Sequence, residues 1–122
     1  MREALVIDDN RQMAETLCQF LMLFDMQGKA VIGSRQALLT LQNPATSPDI
    51  IFLDINMPGL SGHEVLGYVK REPRLANTPV IIVTSDDQPE TEQRVKAAGA
   101  SGIIIKPVSI EALEVMLGEL GL

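Results

Sequence analysis

The sequence predicts an α/β fold, a parallel sheet with helices packed on both faces, and three observations carry that prediction. Five short apolar runs alternate with five segments whose apolar residues recur at helical spacing. The runs are continuously apolar rather than alternating, as strands covered on both faces require. Most of them stop abruptly at polar or charged residues, where an open parallel sheet places its ligands.

Each element has its own signal. Ala4-Leu5-Val6-Ile7 is a first strand closed by Asp8-Asp9-Asn10, after which Met13, Leu17, Leu21 and Phe24 recur at helical spacing. They predict a helix running to Gly28, with Asn10 or Asp9 as its N-cap. Ala30-Val31-Ile32 is a second strand, and Gly33-Ser34 opens a helix with Ala37, Leu38 and Leu41 on its buried stripe, ended by Asn43-Pro44. Ile50-Ile51-Phe52-Leu53 is a third strand that delivers Asp54 into the loop Ile55-Asn56-Met57-Pro58-Gly59. Val65, Leu66, Tyr68 and Val69 mark a third helix, which stops before Pro73. Pro79 to Thr84 is a fourth strand, its proline tolerable because it opens the run. The polar segment from Glu90 to Ala98 is a weaker helix closed by Gly99, and Asp86-Asp87-Gln88-Pro89-Glu90 reads as its acidic start, where the helix dipole favours negative charge. Gly102-Ile103-Ile104-Ile105 is the fifth strand, ending in Lys106-Pro107. Ser109 then caps a last helix carrying Ile110, Leu113, Met116 and Leu117.

Composition bounds the function. With 122 residues, 46% of them hydrophobic and 21% charged, the chain is read as one ordinary globular domain spanning 1–122. A net charge of -6 argues against direct nucleic acid binding, whose affinity comes from cations neutralising phosphates. Cys18 is the single cysteine, so no internal disulfide forms; beside Leu17 and Leu21 it reads as a small core or boundary residue in a reducing compartment. No apolar run approaches the ~20 residues that span a bilayer, and no leader pattern opens the chain. The expectation is a cytoplasmic protein with no membrane association.

The chemistry lies at the strand ends. In a parallel sheet of this kind the carboxyl ends of strands one, three, four and five meet on one edge, and they bring Asp8 and Asp9, Asp54, Thr84 and Lys106 together. Taken singly, Asp9 reads as a helix cap, Thr84 as a strand-end residue, Lys106 as a solvated charge and Asp54 as the start of a turn. Jointly they form a site. Carboxylates this close repel one another unless a cation sits among them, and Mg²⁺ answers that need with carboxylate, water and phosphate oxygens. Lysine supplies a compact positive charge and threonine a hydroxyl donor for the same phosphate. A carboxylate facing the open side can then attack phosphorus and form an aspartyl phosphate. His63 has no ligand partner at suitable spacing and reads as a solvated residue at a helix start.

This set resembles the receiver domain of bacterial two-component response regulators along the whole chain. The matching residues are the acidic pair Asp8 and Asp9, Asp54 as phospho-acceptor in FLDINMPGLSG, Thr84 as the switch hydroxyl in VIIVTS, and Lys106 in its Lys-Pro pair. The resemblance implies a flavodoxin-like doubly wound sheet of five strands in the order 2-1-3-4-5 with five helices. It implies a phosphorylation-switched signalling module rather than an enzyme, its only chemistry being its own phosphorylation and dephosphorylation. The implied partners are a histidine kinase or a histidine phosphotransfer protein, and an output partner or fused output domain; a phosphorylation-dependent homodimer is among the implied states. By the same resemblance Asn56 lends its backbone carbonyl to the metal, and the Lys106-Pro107 peptide is cis. One position departs from the pattern. Three residues before the lysine the family usually carries Tyr or Phe, whose ring swings inward on switching, and this chain has Ile103, stiff at χ1 and without a ring.

Two other function classes stand beside this reading. An aspartate-nucleophile phosphatase needs a second aspartate two residues after the nucleophile as general acid, and Asn56 cannot take that role. A flavodoxin-like cofactor binder needs a Ser/Thr/Gly-rich phosphate loop after the first strand, where Asp8-Asp9-Asn10 would repel a phosphate.

Overall fold

A computed structural model describing Met1–Leu122 shows the alternating architecture expected. The elements in chain order are β1 (Arg2–Asp8), α1 (Arg11–Met22), β2 (Met26–Ile32), α2 (Ser34–Gln42), β3 (Ile50–Asp54), α3 (Gly62–Arg71), β4 (Val80–Thr84), α4 (Pro89–Ala97), β5 (Gly102–Ile105) and α5 (Ile110–Glu119). All neighbouring strands are parallel, in the order β2-β1-β3-β4-β5.

The continuously apolar strands split their side chains between two cores. Leu5, Ile7, Ile51, Leu53 and Ile82 pack with Ala37 and Leu41 of α2, Val65, Leu66 and Val69 of α3, and Val95 of α4. Ala4, Val6, Phe52, Ile81 and Val83 face the other way, onto Ala14, Leu17 and Leu21 of α1 and Leu113 and Leu117 of α5. Period-two alternation along strands covered on both sides produces this split. Helix α4 is the least anchored, since Val95 is its one buried residue. Elements that bury little apolar area reorganise at low cost.

The boundary between α1 and β2 differs from the sequence expectation. The helix stops at Met22 instead of running to Gly28, Asp25 adopts φ 58°, and Met26 to Lys29 already belong to β2. The apolar run Leu21 to Phe24 sustains helical spacing past the true end, so periodicity alone overshoots. Gly28 is therefore a strand residue. A Cβ there would lie 2.8 Å from Cys18 Sγ, so the glycine lets α1 approach the strand closely. The α1 cap is Asn10, whose side chain accepts the Met13 N–H at 3.0 Å, leaving Asp9 uncommitted to the helix.

Candidate functional site

Register brings the polar strand ends together. Ile7 lies opposite Leu53, so Asp8 stands beside Asp54; Asp54 lies opposite Val83, so Thr84 comes one step later; Thr84 lies opposite Ile105, so Lys106 follows it. The Lys106 N–H donates to the Thr84 carbonyl at 2.8 Å, which extends the ladder to that point. Three strand junctions thus converge on one pocket at the carboxyl edge of the sheet.

Asp8, Asp54 and Thr84 are buried and Asp9 is exposed. The Lys106 ammonium lies 3.2 Å from Asp8 Oδ2 and 3.5 Å from Asp54 Oδ2, and so bridges the two buried acids. Asp8 Oδ1 accepts the Asn10 N–H at 2.9 Å, and Asp54 Oδ1 accepts the Asn56 N–H at 3.0 Å. These bonds orient the carboxylates without consuming their second oxygens. Burial and the neighbouring Asp8 charge push the Asp54 carboxyl up from its ordinary 3.8 to about 6, with the Asn56 N–H and Lys106 pulling the other way.

Asp8, Asp9 and Asp54 each offer a carboxylate oxygen, all within 4.8 Å of one another. The Asn56 carbonyl accepts no backbone hydrogen bond, so it too is available. Three carboxylates against one ammonium leave a negative pocket lined by hard oxygen donors, the donor chemistry that suits a small divalent cation. The Lys106-Pro107 peptide is cis, as expected.

Three features of the surroundings are absent from the sequence reading. The Asn56 side-chain amide donates to Thr84 Oγ1 at 3.3 Å, tying the loop after β3 to the end of β4. No spacing rule announces that contact, because 28 residues separate the pair. His63, expected to be solvated, is half-buried in a cleft it shares with Asn56, Asp86, Glu90, Thr91 and Arg94, and burial and the Arg94 charge push its imidazole pKa down. On the other flank, Met13, Leu17, Phe20, Pro107 and Val108 form the apolar part of a groove of about 200 Å³ beside Asp8 and Lys106.

The family model of the response regulator receiver domain matches residues 4–118. The chain belongs to the response regulator receiver domain family. Among curated relatives it is similar to the two-component response regulator ORR8 of Oryza sativa subsp. indica, 36% identical over 106 residues and covering 87% of each chain. It is also 30% identical to the response regulator protein FleR of Pseudomonas aeruginosa, aligning over 91% of this chain and 23% of that one. Among solved structures it resembles the chemotaxis response regulator CheY4 of Vibrio cholerae, with TM-score 0.88, 28% identity and 98% of both chains covered. The receiver fold, flavodoxin-like with strand order 2-1-3-4-5, is therefore shared by sequence and by architecture. Receivers thus occur both as most of a chain, as in ORR8, and as a minor part of a longer one, as in FleR. No helix of this receiver is long and apolar enough to cross a membrane.

Proposed function

We propose that this receiver takes a phosphoryl group from a histidine kinase or a histidine phosphotransfer protein onto Asp54. The observation that carries this reading is the convergence of Asp8, Asp54 and Lys106 in one buried, hydrogen-bonded pocket with Thr84 at its wall. An Asp54 carboxylate oxygen attacks phosphorus as the bond from phosphorus to the donor atom breaks, and the electron pair leaves with the donor. With a pKa of about 6, Asp54 is mostly ionised near pH 7 and able to act as nucleophile. Asp8, Asp9, Asp54 and the Asn56 carbonyl would hold Mg²⁺, which when bound supplies positive charge against the carboxylates and the phosphoryl oxygens. Lys106 then pairs with the phosphoryl group, and Thr84 donates its hydroxyl to it. The chemistry ends on the protein itself, which is a switch and not a turnover enzyme. Residues 1–122 act as one unit, cytoplasmic in this reading, whose changed surface is read by an output partner, a fused output domain or a second copy.

The direct test is incubation with acetyl phosphate and Mg²⁺ followed by intact-mass and peptide mapping. One acid-stable, base-labile phosphoryl group on Asp54 is the expected result. An adduct mapped elsewhere, or none, overturns the assignment. Asp9→Asn removes one of the donors and should weaken Mg²⁺ binding about tenfold or more, measured by titration of the protein alone; parent-like affinity would remove Asp9 from the set.

Thr84→Ala should still be labelled yet respond weakly, because the hydroxyl acts after transfer. Amide shifts with a phosphate mimic report this, and a full parent-like response would assign the switch to another group. Without a ring at Ile103, the response is routed through the loops after β3 and β4 and through α4, the helix with one buried residue. Asp86 provides the link to α4: its N–H donates to Thr84 Oγ1 at 3.1 Å, and its carboxylate accepts the Thr91 hydroxyl and the Gln88 N–H in the first turn of the helix.

A further inference from the structure

We infer that the Asn56 side-chain amide is a latch that holds Thr84 in its resting position, a role that rests on Asp54 being the acceptor. Thr84 Oγ1 is completely buried within a residue 0% exposed, and it accepts two hydrogen bonds, from Asn56 Nδ2 at 3.3 Å and from the Asp86 N–H at 3.1 Å. Neither bond is to Asp54, and the hydroxyl hydrogen is committed to no acceptor. The group is thus held aside with its donor function unspent.

To donate to a phosphoryl oxygen on Asp54, the hydroxyl must leave this position. Threonine is β-branched and sits in discrete χ1 wells, so the move is a hop between two arrangements, not a gradual drift. The hop breaks the Asn56 bond and the Asp86 N–H bond together. Asn56 is exposed, so its freed Nδ2 finds water at once, whereas the buried hydroxyl needs the new phosphoryl acceptor. The Asn56 share of the hold is therefore that of a single exchangeable hydrogen bond, beside the one that the Asp86 N–H supplies. It biases the resting state, and the differential contact with the phosphoryl group overcomes it.

The same residue joins two functions. Its main-chain N–H orients Asp54 at 3.0 Å while its side chain restrains Thr84, so the loop after β3 senses both ends of the switch. Asn56 is in this sense a positioning residue acting through Thr84. An aspartate at this position would instead accept the Thr84 hydrogen and spend the donor that the phosphoryl group requires.

Asn56→Ala removes the amide and keeps the main-chain N–H and carbonyl. In the metal-free protein, three-bond couplings at Thr84 should report one χ1 rotamer in the parent and averaging between rotamers in Asn56→Ala. With Mg²⁺ present, beryllofluoride as the probe should bind Asn56→Ala about fivefold more tightly than the parent, equivalent to about 1 kcal/mol, one net hydrogen bond. In a Thr84→Val background, Asn56→Ala should leave that affinity within about twofold, because the latch has already lost its acceptor. An unchanged Thr84 rotamer in the metal-free Asn56→Ala variant overturns the latch. So does an equal gain in the Thr84→Val background, which would place the effect of Asn56 elsewhere. Failure of the parent to bind beryllofluoride would instead count against Asp54 as acceptor, while the metal-free rotamer measurement would still decide the latch.

Discussion

Asp54→Asn is expected to abolish labelling by acetyl phosphate and, at the same time, to stabilise the metal-free fold. The first effect follows from removing the proposed anionic nucleophile while leaving the shape of the site nearly intact. The second follows from the electrostatics. The folded protein holds the Asp54 carboxyl at about 6 against an ordinary 3.8, chiefly because burial penalises its charge. An acid whose folded pKa is raised binds more protons folded than unfolded between those two values. Stability therefore falls as pH rises from about 4 to about 6, and the full cost stands at pH 7. A rise from 3.8 to about 6 corresponds to about 3 kcal/mol, and water reaching the mouth of the pocket reduces it. We expect a gain of about 1–2 kcal/mol for Asp54→Asn at pH 7 by urea denaturation in chelator, shrinking toward zero near pH 4. A variant no more stable than the parent at pH 7 would show that the pocket does not burden the resting fold.

Gly62→Ala is expected to lose about 3 kcal/mol of stability and most of the labelling rate together. Gly62 is the first residue of α3, and its N–H donates to the Ile55 carbonyl at 2.9 Å, closing the loop that follows Asp54. An added Cβ would lie 2.3 Å from the Asp54 carbonyl oxygen and 2.5 Å from Ile55 Cα. Both neighbours are backbone, so no side chain can swing away to relieve the clash. The helix start or the end of β3 must move, and Asp54 moves with either. Contrast Gly67 in the same helix, where the nearest atom to an added Cβ is the Arg71 guanidinium at 2.9 Å. That flexible group can shift, so Gly67→Ala serves as the tolerated control. A Gly62→Ala midpoint equal to the parent's in urea, with labelling retained, would show that the α3 start is free to slide.

The loop after Asp54 follows from local signals in the chain. Asp54 was legible because a continuous apolar run ended in a carboxylate followed by Pro58-Gly59, and the same kind of local ending placed Asp8, Thr84 and Lys106. Parallel pairing of neighbouring strands then left little choice about which ends meet, since parallel strands present every carboxyl end on the same edge. The acidic set and the order of elements are thus properties of short stretches of chain. The α1–β2 boundary was not, because Leu21 to Phe24 suits a helix as well as a turn; in the structure the strand starts at Met26, with Gly28 lying close against Cys18 of α1.

Asn10 rather than Asp9 as the cap, the half-buried His63 beside Arg94, the Asn56 amide on Thr84, and the backbone contact that makes Gly62 a glycine were all decided by tertiary structure. Each depends on a distance between loops or on which of two neighbouring polar groups faces the pocket. Hydrophobic periodicity and turn chemistry encode the direction and the ends of an element. The separation between two loops at the sheet edge, to within a hydrogen bond's length, is set by how both cores pack beneath them.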